Sequence, residues 1–368
     1  MKRLVGLYAI ALLFTSVAFS QFHTLNIPQA SPLVQETQRL GVTDISINYS
    51  SPALRGRDVW SNRGVIPYQA DPLPWRAGAN MATTITFSTD VMVEGESLKA
   101  GTYAFYVIPE EESFELLFAH NHQQWGSYYL DLDKDISLRV KVQSETCAKT
   151  EQLDYEFLNR EEDGLTIGLE WDTVRIPFRV AVDLNRTVVQ SFRDELRGIN
   201  TYHWQAWNDA AMWCLDHDTN LEEALEWATR SIDGGYGGFA ANKNPTNVVT
   251  KLRLLRRLGD QTEFDNTFED AETMMVDAGQ ANEFNVAMLR FGKYQQALNY
   301  AEKQYELHPD QWTFLLNRAI AGYHLDMKKQ AVKDVRKVIG MAPEQFGNRL
   351  TEIIAEFEAG TYQLTQYN

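Results

Sequence analysis

The sequence predicts an α+β chain of two domains: an antiparallel β-sandwich or small barrel, followed by an array of helical hairpins. Three observations predict it. Apolar and polar residues alternate with period 2 from about Val42 to Val182. After Asp183 the spacing becomes that of amphipathic helices. Within that second half, two segments align with each other at a separation of 34 residues.

The first element is not part of either domain. MKRLVGLYAIALLFTSVAFSQF has a basic start at Lys2 and Arg3, an apolar run from Leu4 to Phe19, and Ala18-Phe19-Ser20 before Gln21. That pattern predicts a cleaved secretory signal over residues 1–20, and so a periplasmic or secreted protein. No cysteine near the cut offers a lipid anchor, and no later apolar run reaches the ~20 residues of a membrane span. The chain carries 34 basic against 50 acidic residues, net −16, and losing Lys2 and Arg3 makes it more negative still. Such a surface repels nucleic acid and anionic lipid. Cys147 and Cys214 are the only cysteines, and they are expected to stay unpaired.

The β domain is expected over residues 21–183. Ile45, Ile47 and Tyr49 alternate with polar neighbours, as do Ile136, Leu138, Val140 and Val142, and then Leu165, Ile167, Leu169 and Trp171. One buried and one solvated face per strand is the expectation. Turn signals at Glu94-Gly95-Glu96, Lys99-Ala100-Gly101, Pro109 to Glu112 and Glu161 to Gly164 divide the region into about eight to ten short strands.

A linking helix, Thr187 to Arg197, is expected within residues 184–200, and the repeat domain over 201–368. NLEEALEWATRSI opens with Asn220 in the N-cap position and places Leu221, Ala224, Leu225 and Ala228 on one stripe. GKYQQALNYAEKQYELHP and MKKQAVKDVRKVIGMAP set Ala297 and Ala331 34 residues apart, and likewise Pro309 and Pro343. An intermediate unit, LGDQTEFDNTFEDAETM, puts Phe264 where the others have a small residue. This half resembles a tetratricopeptide array of about four units, Thr201 to Pro343, with a capping helix from Glu344 to Glu358.

One stretch departs from the acidic background. Residues 51–80 hold Arg55, Arg57, Arg63 and Arg76 against Asp58 and Asp71, with no lysine, two tryptophans and four prolines. Guanidinium groups bind carboxylate or phosphate through paired hydrogen bonds, and tryptophan offers a face for stacking. One reading gathers Arg55, Arg57, Trp75, Arg76 and Asn80, with Trp125, around a pocket for an anionic or carbohydrate-like ligand. In it Arg57 and Arg76 clamp the anion, Trp75 stacks and Asn80 orients. The other makes the arginines staples that bond loop carbonyls and pair with Asp58 or Asp71. Gly78, before a strand, is expected to supply a positive φ.

AHNHQQWGSYYLD places His120 and His122 on one side of an expected strand, a spacing a metal can use. The glutamate and third histidine of a cupin-type metal site are missing, so the pair stands as weak candidates, and no metal or cofactor is predicted. Trp125, Tyr128 and Tyr129 are candidate cleft residues. Asp131, Asp133 and Asp135 alternate, but the glycine and closing glutamate of a calcium loop are absent, leaving an acidic turn. No Gly-x-Ser-x-Gly elbow is present.

Five motifs in order, SPALRGRDVW, PWRAGANMATTITF, LKAGTYAFYVIP, QWGSYY and ISLRVKV, resemble a family of exported proteins known as domain of unknown function 2911. Its hallmarks fall on Gly56-Arg57, Trp75 to Asn80, Ala100 to Tyr103 with Ile108-Pro109, and Gln124 to Gly126. The resemblance implies export to the periplasm, a β domain and often a trailing helical-repeat region; it implies no activity. Two departures stand out: the QADPLP loop before Trp75 is long, and His120 and His122 replace small polar or lysine-like residues. The sequence therefore leads to a binding or scaffold protein, with repeats for a peptide or protein partner. An envelope hydrolase using His120 or His122 with arginine charge stabilisation is the alternative, and a purely structural β domain is a third.

Overall fold

The computed structural model describes residues 28–367. The expected signal and its cleavage site lie outside the described residues. Among the described residues no helix is long and apolar enough to cross a membrane.

Among the described residues ten strands come first. A six-stranded antiparallel sheet has the order β1 (Leu33–Leu40), β2 (Thr43–Ser50), β3 (Thr83–Phe87), β6 (Gly101–Pro109), β7 (Phe114–Ala119), β8 (Ile136–Val142). A four-stranded sheet has the order β5 (Glu96–Leu98), β4 (Val91–Val93), β10 (Gly164–Ala181), β9 (Glu145–Leu158). The β1–β2 hairpin turns on Gly41 at φ 56°, with Leu40 opposite Thr43. Positive φ is what so tight a turn demands.

The sheets face each other as a sandwich. Ile45, Ile47, Ile85, Phe105 and Phe118 from the larger sheet meet Tyr155, Ile167, Leu169, Ile176 and Phe178 from the smaller in one core. The alternation that the sequence displays is thus the inward face of each strand. At β6 the expectation of a solvated outer face fails. Tyr103, Phe105 and Val107 enter the main core. Ala104, Tyr106 and Ile108 join a second cluster with Leu117 and Ala119, covered by Leu130 and Leu132. The loop after β7 folds back over the sheet, so β6 is apolar on both faces.

Ten helices follow. α1 (Leu184–Glu195) begins where Asp183 accepts a hydrogen bond from the Arg186 amide. Four hairpins come next: α2 (Trp204–Asp216) with α3 (Leu221–Asp233), α4 (Pro245–Leu258) with α5 (Gln261–Glu272), α6 (Ala278–Arg290) with α7 (Tyr294–Leu307), and α8 (Trp312–His324) with α9 (Lys328–Ile339). α10 (Gly347–Ala359) caps the stack. Ala224, Ala297 and Ala331, each in the second helix of a hairpin, are fully buried where helices approach closely. Phe264 at the matching place in α5 is also buried, 4 % exposed, and packs against Phe268 and Phe291.

Asn220 stands at the N-cap position of α3, as the sequence suggests, but does not cap it with its side chain. Its backbone is left-handed, φ 48°, and its side chain makes no capping bond; the amide donates to Glu223 instead. Both cysteines are free. Cys214 is buried in α2, and burial pushes its thiol up to about 11.

Candidate functional site

The long connection from β2 to β3 builds the site. Its path is held by backbone and hydroxyl groups. Trp75 and Val107 exchange two backbone hydrogen bonds of 3.0 and 2.8 Å, and the Leu54 amide donates to the Glu151 carbonyl at 2.7 Å. The Ala77 carbonyl accepts from the hydroxyls of Thr83 and Tyr155, both at 2.9 Å. Ser127 Oγ donates to the Pro74 carbonyl at 2.7 Å. None of these bonds involves an arginine side chain.

Positive φ falls on Ala77 (51°) and Asn80 (61°), not on Gly78. Gly78 is required for closeness: a Cβ there would lie 2.8 Å from Thr83 Oγ1 and 3.1 Å from the Ser50 carbonyl. The expected positive φ at this glycine is not found.

Between this loop, Trp125–Tyr128 and the end of the sandwich lies a cleft of about 870 Å³. Arg55, Arg57, Arg63 and Arg76 all line it, with Trp75, Asn80, Trp125 and Tyr128. No aspartate or glutamate lines it among the described residues. None of the four arginines forms an ion pair with another described residue either. The expected partner Asp58 accepts bonds from the Ser61 amide and hydroxyl, which hold its carboxyl below the usual range.

The staple reading survives in part. Arg57 donates Nε to the Leu54 carbonyl at 3.0 Å and Nη2 to Ala53 at 2.8 Å. Arg55 reaches the Ala30 carbonyl at 3.3 Å, and Arg76 the Asn80 carbonyl at 2.5 Å. Arg63 lies over the Tyr68 ring, 5.5 Å from its centre. A guanidinium has five N–H donors, so each of these groups keeps donors to spare.

Trp75 is placed differently from its expected role as an open stacking face. It is 5 % exposed, stacked on Trp171 at 6.0 Å and met edge-on by Trp60, so it forms the floor. Its indole is large and apolar, and the core claims it. Asn80 spends its amide on Ser50 Oγ at 3.2 Å and the Ser31 carbonyl at 3.5 Å. The exposed aromatics of the cleft are Trp125, 57 %, and Tyr128, 64 %. Trp171 also lines it, and its indole N–H is a buried donor with no acceptor among the described residues. Gly126, at φ 64°, lets the rim close: a Cβ there would sit 3.2 Å from Arg76 Cζ.

His120 and His122 lie beyond the end of β7 rather than on it, and neither lines the cleft. His120 Nε2 is 3.9 Å from Asp135, and His122 contacts the His120 carbonyl. No group of three or more metal-binding side chains occurs among the described residues. Asp131 accepts from the Asp133 and Lys134 amides and from Lys134 Nζ, as an acidic turn does.

Residues 31–180 match the family described as "Protein of unknown function (DUF2911)". Comparison with curated proteins returns no match. Among solved structures the chain is similar to a tetratricopeptide repeat protein from Parabacteroides merdae ATCC 43184, at 17 % identity over 48 % of this chain and 68 % of that one, TM-score 0.34. It is similar to MamA from Desulfovibrio magneticus RS-1, at 13 % identity over 44 % and 97 %, TM-score 0.29. A third is YrrB, described as a TPR protein with an unusual peptide-binding site, at 13 % identity over 47 % and 89 %, TM-score 0.29. The strand half thus matches the DUF2911 family model over residues 31–180, and an array of helical hairpins follows it in the chain.

Proposed function

We propose that this is an exported, periplasmic binding or scaffold protein whose strand half holds an anionic ligand in the arginine cleft. The helical half presents its stacked hairpins to a peptide or protein partner. One observation carries the cleft: four guanidinium groups converge on one concavity with no carboxylate in its lining, in a chain of net charge −16. A like-charged cluster without counter-charge is unfavourable in isolation, and an anion relieves it.

The ligand has at least one carboxylate or phosphate, for which guanidinium geometry is suited. Trp125 and Tyr128 at the rim favour a planar or sugar-like body attached to it. Trp75 and Trp171 supply the rigid floor.

The test is thermal unfolding of the full chain with inorganic phosphate, glucose 6-phosphate or a tetra-aspartate peptide. At least one of these anions should raise the melting temperature of the wild type and not that of the Arg57→Met/Arg76→Met variant. Without ligand, the variant loses three hydrogen bonds to loop carbonyls, two of them part-buried, of about 1 kcal/mol each, so its melting temperature should fall only modestly below that of the wild type. A large drop without ligand would make the arginines staples and the strand half a mount for the helices.

A further inference from the structure

After α10 the chain does not leave the array. Residues Thr361–Tyr367 run back along the edge formed by the carboxyl-terminal ends of α8, α6 and α4. Tyr362 packs on Tyr323 and Phe357, ring centres 5.6 and 4.9 Å apart. Gln366 Nε2 donates to Tyr294 Oη at 3.1 Å. The Tyr367 amide donates to the Arg290 carbonyl at 2.9 Å, and Arg290 Nε donates to the Thr365 carbonyl at 3.3 Å. The Tyr367 ring lies 4.8 Å from Phe291, with the guanidinium carbons of Arg290 and Arg253 at 4.2 and 5.0 Å.

Two regularities make this segment resemble a docked peptide. Its burial alternates as far as Gln366, with Tyr362, Leu364 and Gln366 toward the helices and Gln363 and Thr365 exposed, and Tyr367 then breaks the alternation by turning in beside Gln366. That is the period of an extended strand. The segment also meets corresponding places of successive repeats, the shared tyrosine contact being Arg290 for Tyr367 and His324 for Tyr362. Tyr323 and His324, beside Tyr362, stand 34 residues after Leu289 and Arg290, beside Gln366 and Tyr367. Beside Thr365–Tyr367 lies a hollow of about 360 Å³ lined by Leu215, Arg253, Arg257 and Arg290, with Asp216 and Asp218 paired to Arg253 and Arg257.

We infer that this edge is a binding track for an extended peptide with aromatic residues five apart, and that Thr361–Tyr367 occupies it in cis. This rests on the reading of the helical half as an interaction scaffold and names its partner class and its regulation. The occupant's chemistry follows from the seats: aromatic rings for Phe291 between Arg253 and Arg290, and for Tyr323 beside Phe357, with polar residues between them. The hold loosens toward Tyr367, which is half-buried, whereas Tyr362 next to α10 is buried. A competing peptide therefore displaces the Tyr367 end first.

The experiment uses the full chain and a labelled peptide of the sequence TYQLTQY, followed by fluorescence anisotropy. A track closed nine-tenths of the time weakens apparent affinity about tenfold. Tyr367→Ala should therefore bind the peptide about ten times more tightly than wild type, and adding Arg290→Ala should remove the gain. Far-ultraviolet circular dichroism checks folding, and Gln366→Ala serves as a second strap variant if Tyr367→Ala loses helicity. Equal binding by wild type and variant, binding by neither, or a gain that persists with Arg290→Ala would overturn the inference. So would a dimeric mass for the wild type that the strap variants lose, since the segment would then be exchanged between copies. Anion binding by the cleft is read separately, so failure of the strap leaves the proposal for the strand half standing.

Discussion

Phe264→Ala sets the repeat pattern against the structure. Alanine is the residue that Ala224, Ala297 and Ala331 provide at the corresponding place, so pattern alone predicts that the change is harmless or stabilising. In the structure Phe264 is 4 % exposed, with Phe268 at 5.9 Å, Phe291 at 5.2 Å and Lys293 Nζ 5.5 Å from its ring centre. Removing a buried phenyl costs about 3–5 kcal/mol in transfer and cavity terms. Neighbouring helices cannot collapse into the gap without shifting Phe268, which also packs on Phe284. With a urea slope of ~2–3 kcal/mol/M, a 3 kcal/mol loss moves the midpoint down by about 1–1.5 M. Urea titration followed at 222 nm measures this. Because Phe291 also seats Tyr367, the variant should loosen the strap and bind the TYQLTQY peptide more tightly. A loss below ~1 kcal/mol, or a gain, would refute the packing described for α5.

Other predictions concern the strand half and the cysteines. Tyr49 Oη contacts both Glu36 at 2.6 Å and Asp154 at 2.5 Å, yet a phenol has one proton to give. Burial first, then Asp154 and Glu156, raise the Glu36 carboxyl above 4.5, while the Tyr49 bond opposes them. A raised folded value means that Glu36 contributes stability below about 4.5 and loses it as pH rises through the folded value. Glu36→Gln should thus gain on the wild type between pH 4 and 7 in urea titrations, and a constant difference across that range would contradict the assignment. Gly78→Ala drives a methyl into Thr83 Oγ1 and the Ser50 carbonyl, and should cost about 1–3 kcal/mol by the same titration. With a thiol reagent at pH 8, half-exposed Cys147 should label in the native protein and buried Cys214 only on unfolding.

Much of the architecture is local in origin and could be read from residue spacing. The alternation at Ile45, Ile47 and Tyr49 is the inward face of β2, and the spacing of Ala297 and Ala331 marks two packed second helices. The arginine cluster was legible by composition, because Arg55, Arg57, Arg63 and Arg76 stand in an acidic chain without neighbouring lysines. What the spacing does not carry is contact between distant segments. The covering of β6 by Leu130 and Leu132 depends on a loop folding back. The floor position of Trp75 depends on Trp171, nearly a hundred residues later. Arg63 and Tyr128 became cleft residues through that same closure, although the arginine count and the aromatic patch had already marked them. The Thr361–Tyr367 strap left a faint signal, its alternation of tyrosine, leucine and glutamine, but no periodicity names the helices it meets.

The central claim is that the guanidinium groups of the cleft receive an anion from outside. Calorimetric titration of glucose 6-phosphate into the full chain, at low and at high salt, tests it most directly. The account predicts saturable one-site binding that weakens with salt and disappears in Arg57→Met/Arg76→Met, with the variant still folded. Heat indistinguishable from dilution for this sugar phosphate and for the phosphate and tetra-aspartate probes, or binding that the double variant keeps in full, would contradict it.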